Sequence, residues 1–211
     1  MKVYHFLKGK YALDAIANQR LKVARLNALN DPYECFHMEM DNYLARVTLK
    51  ERKNLANRWY GLLCFSGDFS SPVQWAHYSE SHAGVCLGFE VPSELLLKVD
   101  YSAERTFGAE FKDALDLKGV EFTKYMLSRK HEHWKYEDEY RLLLRFNEKV
   151  MDDRLVFEPF SEKLRLSEVF LGLRCGISRK EMGLILRNNG FSVNVSKMAM
   201  SEDAYKMVRI P

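Results

Sequence analysis

The sequence predicts an α+β chain, with a mixed, mostly antiparallel sheet and flanking helices. Two observations carry this expectation. Segments with the two-residue period of strands and segments with helix caps and helical spacing follow one another without the strict alternation of a doubly wound fold. The composition, 47% hydrophobic and 29% charged, is that of a globular protein, and 211 residues suffice to bury a core without disulfides or a structural metal. A single domain over residues 1–211 is the expectation.

The elements are read in order. Residues 3 to 6 are a first strand, residues 11 to 19 a helix, and Leu21 to Arg25 a strand in which apolar and basic residues alternate. In Asn30-Asp31-Pro32-Tyr33-Glu34, Asp31 can cap a helix, Pro32 suits its first position and Glu34 stands where a capping box places its carboxylate, so a helix should start there. Residues 43 to 58 favour helix, with Leu44, Val47, Leu55 and Trp59 as apolar positions, and Gly61 breaks the pattern before the strand Leu62 to Ser66. Ser71-Pro72-Val73-Gln74 repeats the capping chemistry, which puts Trp75, His77 and Tyr78 on a short helix. Gly84 to Val91 is an apolar strand, Leu97 to Tyr101 another, and residues 108 to 129 a long helix that Gly119 interrupts. From Glu137 the pattern is strand, with Glu139, Arg141, Leu143 and Arg145 on one face and Tyr140, Leu142, Leu144 and Phe146 on the other. The tail holds β-rich runs over 155 to 160 and 164 to 171, a helix capped by Ser178 with Glu181 in box position, and strands over 191 to 195 and 205 to 210.

The net charge of +3, from 32 basic and 29 acidic residues, is too even for a protein that coats nucleic acid by bulk electrostatics. The N-terminal residues carry charges at once, unlike a secretory signal, and no apolar run approaches the roughly 20 residues needed to span a bilayer. The four cysteines lack the spacing of a zinc knuckle or redox motif. A cytoplasmic protein without membrane partners or bound metal is expected. No glycine-rich phosphate loop, Gly-x-Ser-x-Gly elbow or His-Glu-x-x-His helix is present.

Two constellations can carry chemistry. The first is Trp75-Ala76-His77-Tyr78 with His82, at the start of a helix after a polar loop. Its alternative is a buried face of Trp75 and Tyr78 with a solvated His77. The second is Trp134 to Arg141, where Glu137 and Glu139 project from one strand face with Arg141 beyond. Two such acids repel unless one is protonated or a cation sits between them. Either the pair stabilises a developing positive charge or activates a hydroxyl, or it belongs to an ion-pair ladder with Arg141, Lys135 and Arg145. His131 and His133 are two apart at a helix end, a poor metal pair, and His5 stands alone on the first strand.

Together, Tyr4 to Phe6, Asn30 to Glu34, Cys64 to Ser66, Trp75 to Tyr78 with His82 and Gly84, and Trp134 to Arg141 resemble a bacterial family of uncharacterised proteins, domain-of-unknown-function family 2971. The shared features are a Tyr-x-aromatic start, Asn-Asp-Pro-aromatic-Glu, Cys-Phe-Ser, Trp-x-His-Tyr followed by His-x-Gly, and Trp-x-x-Glu-x-Glu-aromatic-Arg, spanning roughly residues 3 to 175. The element order resembles the ADP-ribosyltransferase plan, although no Ser-Thr-Ser segment follows the middle strand. That resemblance implies an NAD-using enzyme, acting in phage defence or as a toxin. His5, beside Tyr4, would hold the nicotinamide ribose, Tyr78 or Trp75 would stack on the ring, Glu139 would stabilise the oxocarbenium-like centre and Glu137 would steer a protein or nucleic-acid acceptor.

Two other readings of the residues stand beside it. One is a hydrolase of nucleic acid or nucleotide with His77 as base and Arg141 or Lys135 on phosphate. The other is a non-catalytic module binding a small molecule or partner through Trp75, Tyr78 and Trp134, with Asn30 and Asp31 as further contacts.

Overall fold

The computed structural model describes residues 1–37, 43–106, 113–114, 116–151 and 154–210. β1 (Lys2–Leu7) runs antiparallel to β5 (Val85–Glu90) through six residue pairs, and β4 (Tyr60–Ser66) runs antiparallel to β9 (Glu139–Arg145) through seven. Among the described residues these two pairs are the centre of a nine-stranded sheet. On one side it continues through β11 (Arg165–Leu171), β12 (Asn194–Met200) and β13 (Met207–Ile210), and on the other it ends in β6 (Leu96–Lys98), with β3 (Ala24–Arg25) also pairing β4. The β11 and β12 strands are parallel, joined by α5 (Arg179–Asn188), so the sheet is mixed and mostly antiparallel, as expected.

One face of the sheet is covered by α1 (Gly9–Ala17) and α5, whose buried Ala12, Ala15, Ile16, Met182 and Leu186 pack on Val3, Phe65, Leu87 and Leu142. The other face carries α2 (Tyr43–Trp59) and α4 (Gly119–Met126), packed around Leu49, Leu62, Phe122 and Met126, and α3 (Pro72–Tyr78), packed through Trp75. Both faces of β9 are therefore buried, which agrees with its apolar positions Leu142 and Leu144 on one side and Leu143 on the other.

Several local expectations hold for the reasons given. Ser71 caps α3 by accepting from the Gln74 backbone N–H, and Ser178 with Glu181 forms a reciprocal capping box on α5. Others are corrected. No helix begins at Asp31: residues 32–35 form turns, with the Asp31 side chain accepting from Tyr33 N, and the Glu34 carboxylate is drawn into the protein instead of reaching back. On α2 the buried apolar positions are Leu49 and Ala56, while Leu44 and Leu55 are exposed; the Arg52 guanidinium and the Lys53 ammonium lie over the rings of Phe122 and Phe36. The predicted strand over 97 to 101 divides at Val99 into β6 and β7 (Asp100–Ser102), which pair β9 and β8 (Arg129–His131) respectively. Of the long helix predicted over 108 to 129, residues 108–112 and 115 lie outside the described residues, and Gly119, at φ +56°, opens α4. The strand predicted over 191 to 195 runs over Asn194–Met200, its register set by parallel pairing with β11.

No helix among the described residues is long and apolar enough to cross a membrane.

Candidate functional site

Between its two central pairs the sheet is split. β1 and β4 are in register only at Tyr4 opposite Ser66, and beyond that pair they part. His5 closes the gap through its Nδ1, 2.8 Å from the carbonyl oxygen of Cys64. A carbonyl only accepts, so Nδ1 carries the proton and, in the neutral ring, Nε2 is an acceptor. Burial lowers the His5 pKa and favours that neutral form. A cavity of about 150 Å³ opens at this split, bordered by Tyr4, His5, Asn30, Tyr78, Glu137 and Glu139 among others.

Local structure brings Tyr78 and the two glutamates there. Gln74, in the first turn of α3, donates through Nε2 to Ser66 Oγ at 2.6 Å and to the Glu137 carbonyl at 3.0 Å, tying the helix both to β4 and to the segment before β9. After Tyr78 the chain passes through three consecutive left-handed residues, Glu80, Ser81 and His82, before Gly84 enters β5. Such conformations cost on the order of 1 kcal/mol or more each and persist only where the surroundings hold them. Here Gly84 N donates to the Ser79 carbonyl at 2.7 Å and Arg174 N to the His82 carbonyl at 2.9 Å. A Cβ on Gly84 would collide with the carbonyls of Leu7 and Ser79, which explains the glycine two residues after His82.

Glu137 is not on the strand, as the alternation suggested. It ends a 3-10 turn, Glu132–Glu137, and left-handed Asp138 separates it from β9. The two carboxylates nevertheless converge, because a cation stands between them. Lys130 Nζ lies 2.7 Å from Glu137 Oε2, 3.4 Å from Glu139 Oε2 and 3.7 Å from Glu34 Oε2. Arg141, fully buried at 0% exposure, grips Glu139 in a two-point bond, Nε to Oε1 at 2.9 Å and Nη2 to Oε2 at 2.8 Å, and reaches Glu34 Oε1 with Nη1 at 2.7 Å.

Three carboxylates thus surround two cations, all of them buried, and the group carries one formal negative charge in excess. Burial works against the Glu139 carboxylate, but Arg141 and Lys130 outweigh it and hold the carboxyl down at about 2. Glu137 has no guanidinium partner and its pKa is raised, burial prevailing over the pull of Lys130. The Tyr78 hydroxyl, whose own pKa burial and Glu137 push upward, donates to Glu137 Oε1 and is itself approached by Asn30 Nδ2 at 2.9 Å.

Of the residues singled out from sequence, Tyr4, His5, Asn30, Tyr78, Glu137 and Glu139 meet at the small cavity. The Tyr4 hydroxyl itself lies toward Glu168, at 3.5 Å. Asp31 and Trp134 line a second, larger cavity next to it. Four placements differ from the expectation. Trp75 is wholly buried against Phe6, Cys86 and Phe170, its indole N–H satisfied by the Phe69 carbonyl, so it is core and offers no stacking face to a ligand. His77 is exposed, with Nδ1 3.3 Å from the Tyr136 hydroxyl, and borders neither cavity. His82 belongs to the strained turn and borders neither cavity. Arg141 is sealed beneath the site and serves Glu139 and Glu34, so it and His77 are not brought together on a phosphate.

Among the site residues that the sequence reading does not assign to it are Lys130, Glu34 and Gln74. Glu34 and Gln74 carry a signal, since each follows a cap and a proline, but that spacing points to a capping-box partner. Lys130 sits in the run Arg129-Lys130-His131, whose spacing does not distinguish a buried lysine from solvated ones.

Residues 74–142 match the model of a family described as protein of unknown function, DUF2971. This stretch carries the family signature. The DUF2971 segment begins at Gln74 and ends one residue past Arg141, so it contains Arg141 and, of the residues lining the small cavity, Gln74, Tyr78, Lys130, Glu137 and Glu139. Tyr4, His5, Asn30, Glu34, Cys64 and Ser66 are among the residues that line the cavity from outside the segment. Neither a curated protein nor a solved structure matches the chain.

Proposed function

We propose that the protein is an ADP-ribosyltransferase-like enzyme that uses NAD, with Glu137 as the charge-stabilising carboxylate. The observation that carries this reading is the Glu137 carboxylate itself: it borders the cavity, holds one Tyr78 hydroxyl and one ammonium, and belongs to a buried group with an excess negative charge. A site of that sign favours a cationic ligand over a neutral or anionic one. NAD presents a positively charged pyridinium. When its glycosidic bond breaks, the bonding pair goes to the ring nitrogen and the positive charge passes to the ribose as an oxocarbenium-like centre, beside which a carboxylate is most effective. The acceptor, a hydroxyl or amine of a protein or nucleic acid, or water, then supplies the pair for the new bond and loses its proton.

Within this reading Glu139, with both oxygens engaged, is a positioning residue for Lys130 and through it for Glu137. Neutral His5, with Nδ1 committed to Cys64, offers Nε2 to a ribose hydroxyl. The split between β1 and β4 supports the analogy in fold plan. Such an enzyme would act in the cytoplasm, as a phage-defence or toxin effector.

The test is incubation of the purified protein with adenylate-labelled NAD and cell lysate. Nicotinamide release or label transfer, abolished in Glu137→Gln, is expected. Absence of both from the wild-type protein, or a fully active Glu137→Gln, removes the reading.

A non-catalytic binding module is the second reading, favoured by the complete engagement of Glu139 and Arg141. It predicts calorimetric binding of NAD without turnover.

A further inference from the structure

The small cavity, at about 150 Å³, is below the roughly 300–1,000 Å³ of sites that enclose a whole small ligand. The second cavity, of about 570 Å³, is within that range. Glu34 and Lys130 line both, so the two spaces adjoin across the ion cluster.

The walls of the larger cavity differ in character from those of the smaller. Tyr33, 63% exposed, and Phe36 come from the turns after Asn30, and Trp134 from the 3-10 turn before β9. Basic groups interleave with these rings. The Arg105 guanidinium is 5.5 Å from the centre of the Tyr33 ring, and the Lys130 ammonium 4.6 Å from the centre of the Trp134 ring. Arg129, whose Nη1 donates to Thr106, and the imidazoles of His131 and His133 line the same space. Three acids border it too, two of them with partners of their own. Asp31 accepts from the Tyr33 backbone, Glu34 is held by Arg141 and Lys130, and Glu104 is exposed.

Aromatic faces suit a planar base, and a guanidinium among them suits a phosphate oxygen. We infer that the larger cavity is a nucleotide subsite that takes a nucleoside diphosphate, with the base against Tyr33 and Trp134 and the phosphates toward Arg105 and Arg129. Its use for the adenosine diphosphate end of a dinucleotide whose other end enters the small cavity rests on the reading proposed above. The subsite itself does not.

ADP alone is the probe, measured by calorimetry and by tryptophan fluorescence on the full-length protein. Wild-type protein should bind ADP more tightly than adenosine. Arg105→Ser should weaken ADP by about tenfold or more, while leaving adenosine little changed. Trp134→Leu should remove the fluorescence response, because Trp75 is buried in the core and Trp59 lines neither cavity. Melting temperatures establish that the variants are folded, and Arg105, on a loop and only partly buried, supplies a substitution that does not disturb the core.

No ADP binding at millimolar concentration, or undiminished binding in both variants, overturns the subsite. Glu137→Gln should still bind ADP. Cleavage of NAD with ADP affinity indifferent to Arg105 and Trp134 would sink the subsite alone. Arg105-dependent ADP binding without NAD cleavage would sink the enzyme reading alone.

Discussion

The Tyr78 hydroxyl lies 2.5 Å from Oε1 of Glu137, joining the last residue of α3 to the turn that precedes β9. Fifty-nine residues of chain separate the two, and both belong to the DUF2971 segment. The bond ties the helix that the Ser71 cap starts to the carboxylate at the split in the sheet.

Because this bond satisfies a buried carboxylate, Tyr78→Phe should destabilise the protein by about 1–3 kcal/mol, the cost of an acceptor left without its donor. Glu137→Gln should behave differently. It keeps one acceptor oxygen for Tyr78 and removes the excess charge, and Lys130 gives up one ion pair but retains Glu139 and Glu34, so its melting temperature should stay close to that of the wild type while NAD chemistry is lost. A Glu137→Gln protein that melts several degrees lower would show that the carboxylate is chiefly structural.

Arg141 is the cation that two of the three acids depend on. Arg141→Met should cost about 3–5 kcal/mol by leaving Glu34 and Glu139 buried and poorly compensated. Adding Glu139→Gln to that variant should recover part of the loss, with a coupling of about 1–3 kcal/mol in urea denaturation. Strict additivity of the two substitutions would contradict the geometry.

The acid dependence of stability follows from the opposed shifts of the two glutamates. The Glu139 carboxyl, at about 2 against an ordinary 4.5, is protonated first in the unfolded chain. Its stabilising contribution, on the order of 3 kcal/mol, is complete above about pH 4.5 and lost as pH falls toward 2. Glu137 is shifted upward, so the native state binds its proton first, and stability from this group declines as pH rises from 4.5 through the raised value. His5 is lowered from 6.5; its contribution is complete above that value and lost as pH falls through the folded one. Melting curves between about pH 3 and pH 8 should show a flatter acid limb in Glu139→Gln, and in Glu137→Gln no loss attributable to deprotonation above pH 4.5. Acid limbs of equal steepness in wild type and Glu139→Gln would refute the assignment.

Gly84→Ala should destabilise by more than about 2 kcal/mol, since the new Cβ meets backbone carbonyls that side-chain rotation cannot move. Gly9→Ala is the control. Nothing lies within 4 Å of a Cβ at Gly9, in the first turn of α1, and alanine there should be neutral or stabilising by up to about 1 kcal/mol. Urea midpoints that rank the two the other way would exclude the close approach at Gly84.

Much of the architecture was legible because local patterns agree with the tertiary result. The alternation along Glu139 to Arg145 matches a strand buried on both faces, and the Ser71 and Ser178 caps start the helices they announce. Where the reading failed, a tertiary contact outweighed a local preference. Asp31-Pro32-Tyr33-Glu34 has every feature of a helix start, but the buried Glu34 carboxylate lies 2.7 Å from Arg141 and 3.7 Å from Lys130, where the attraction of two cations outweighs a bond to its own backbone. Trp75 looked like a ligand platform because an exposed and a buried indole have the same sequence signature.

The sequence by itself determined the fold class, the positions of most elements and the family signature around Tyr78, Glu137 and Glu139, because these rest on periodicity and capping within short windows. Only the tertiary structure decided which acid pairs with the buried guanidinium and which with a hydroxyl and an ammonium. That depends on where Lys130 and Arg141 fall relative to the two carboxylates, and the placement is set by the pairing of β4 with β9 and of β7 with β8, contacts between distant segments that no local pattern encodes.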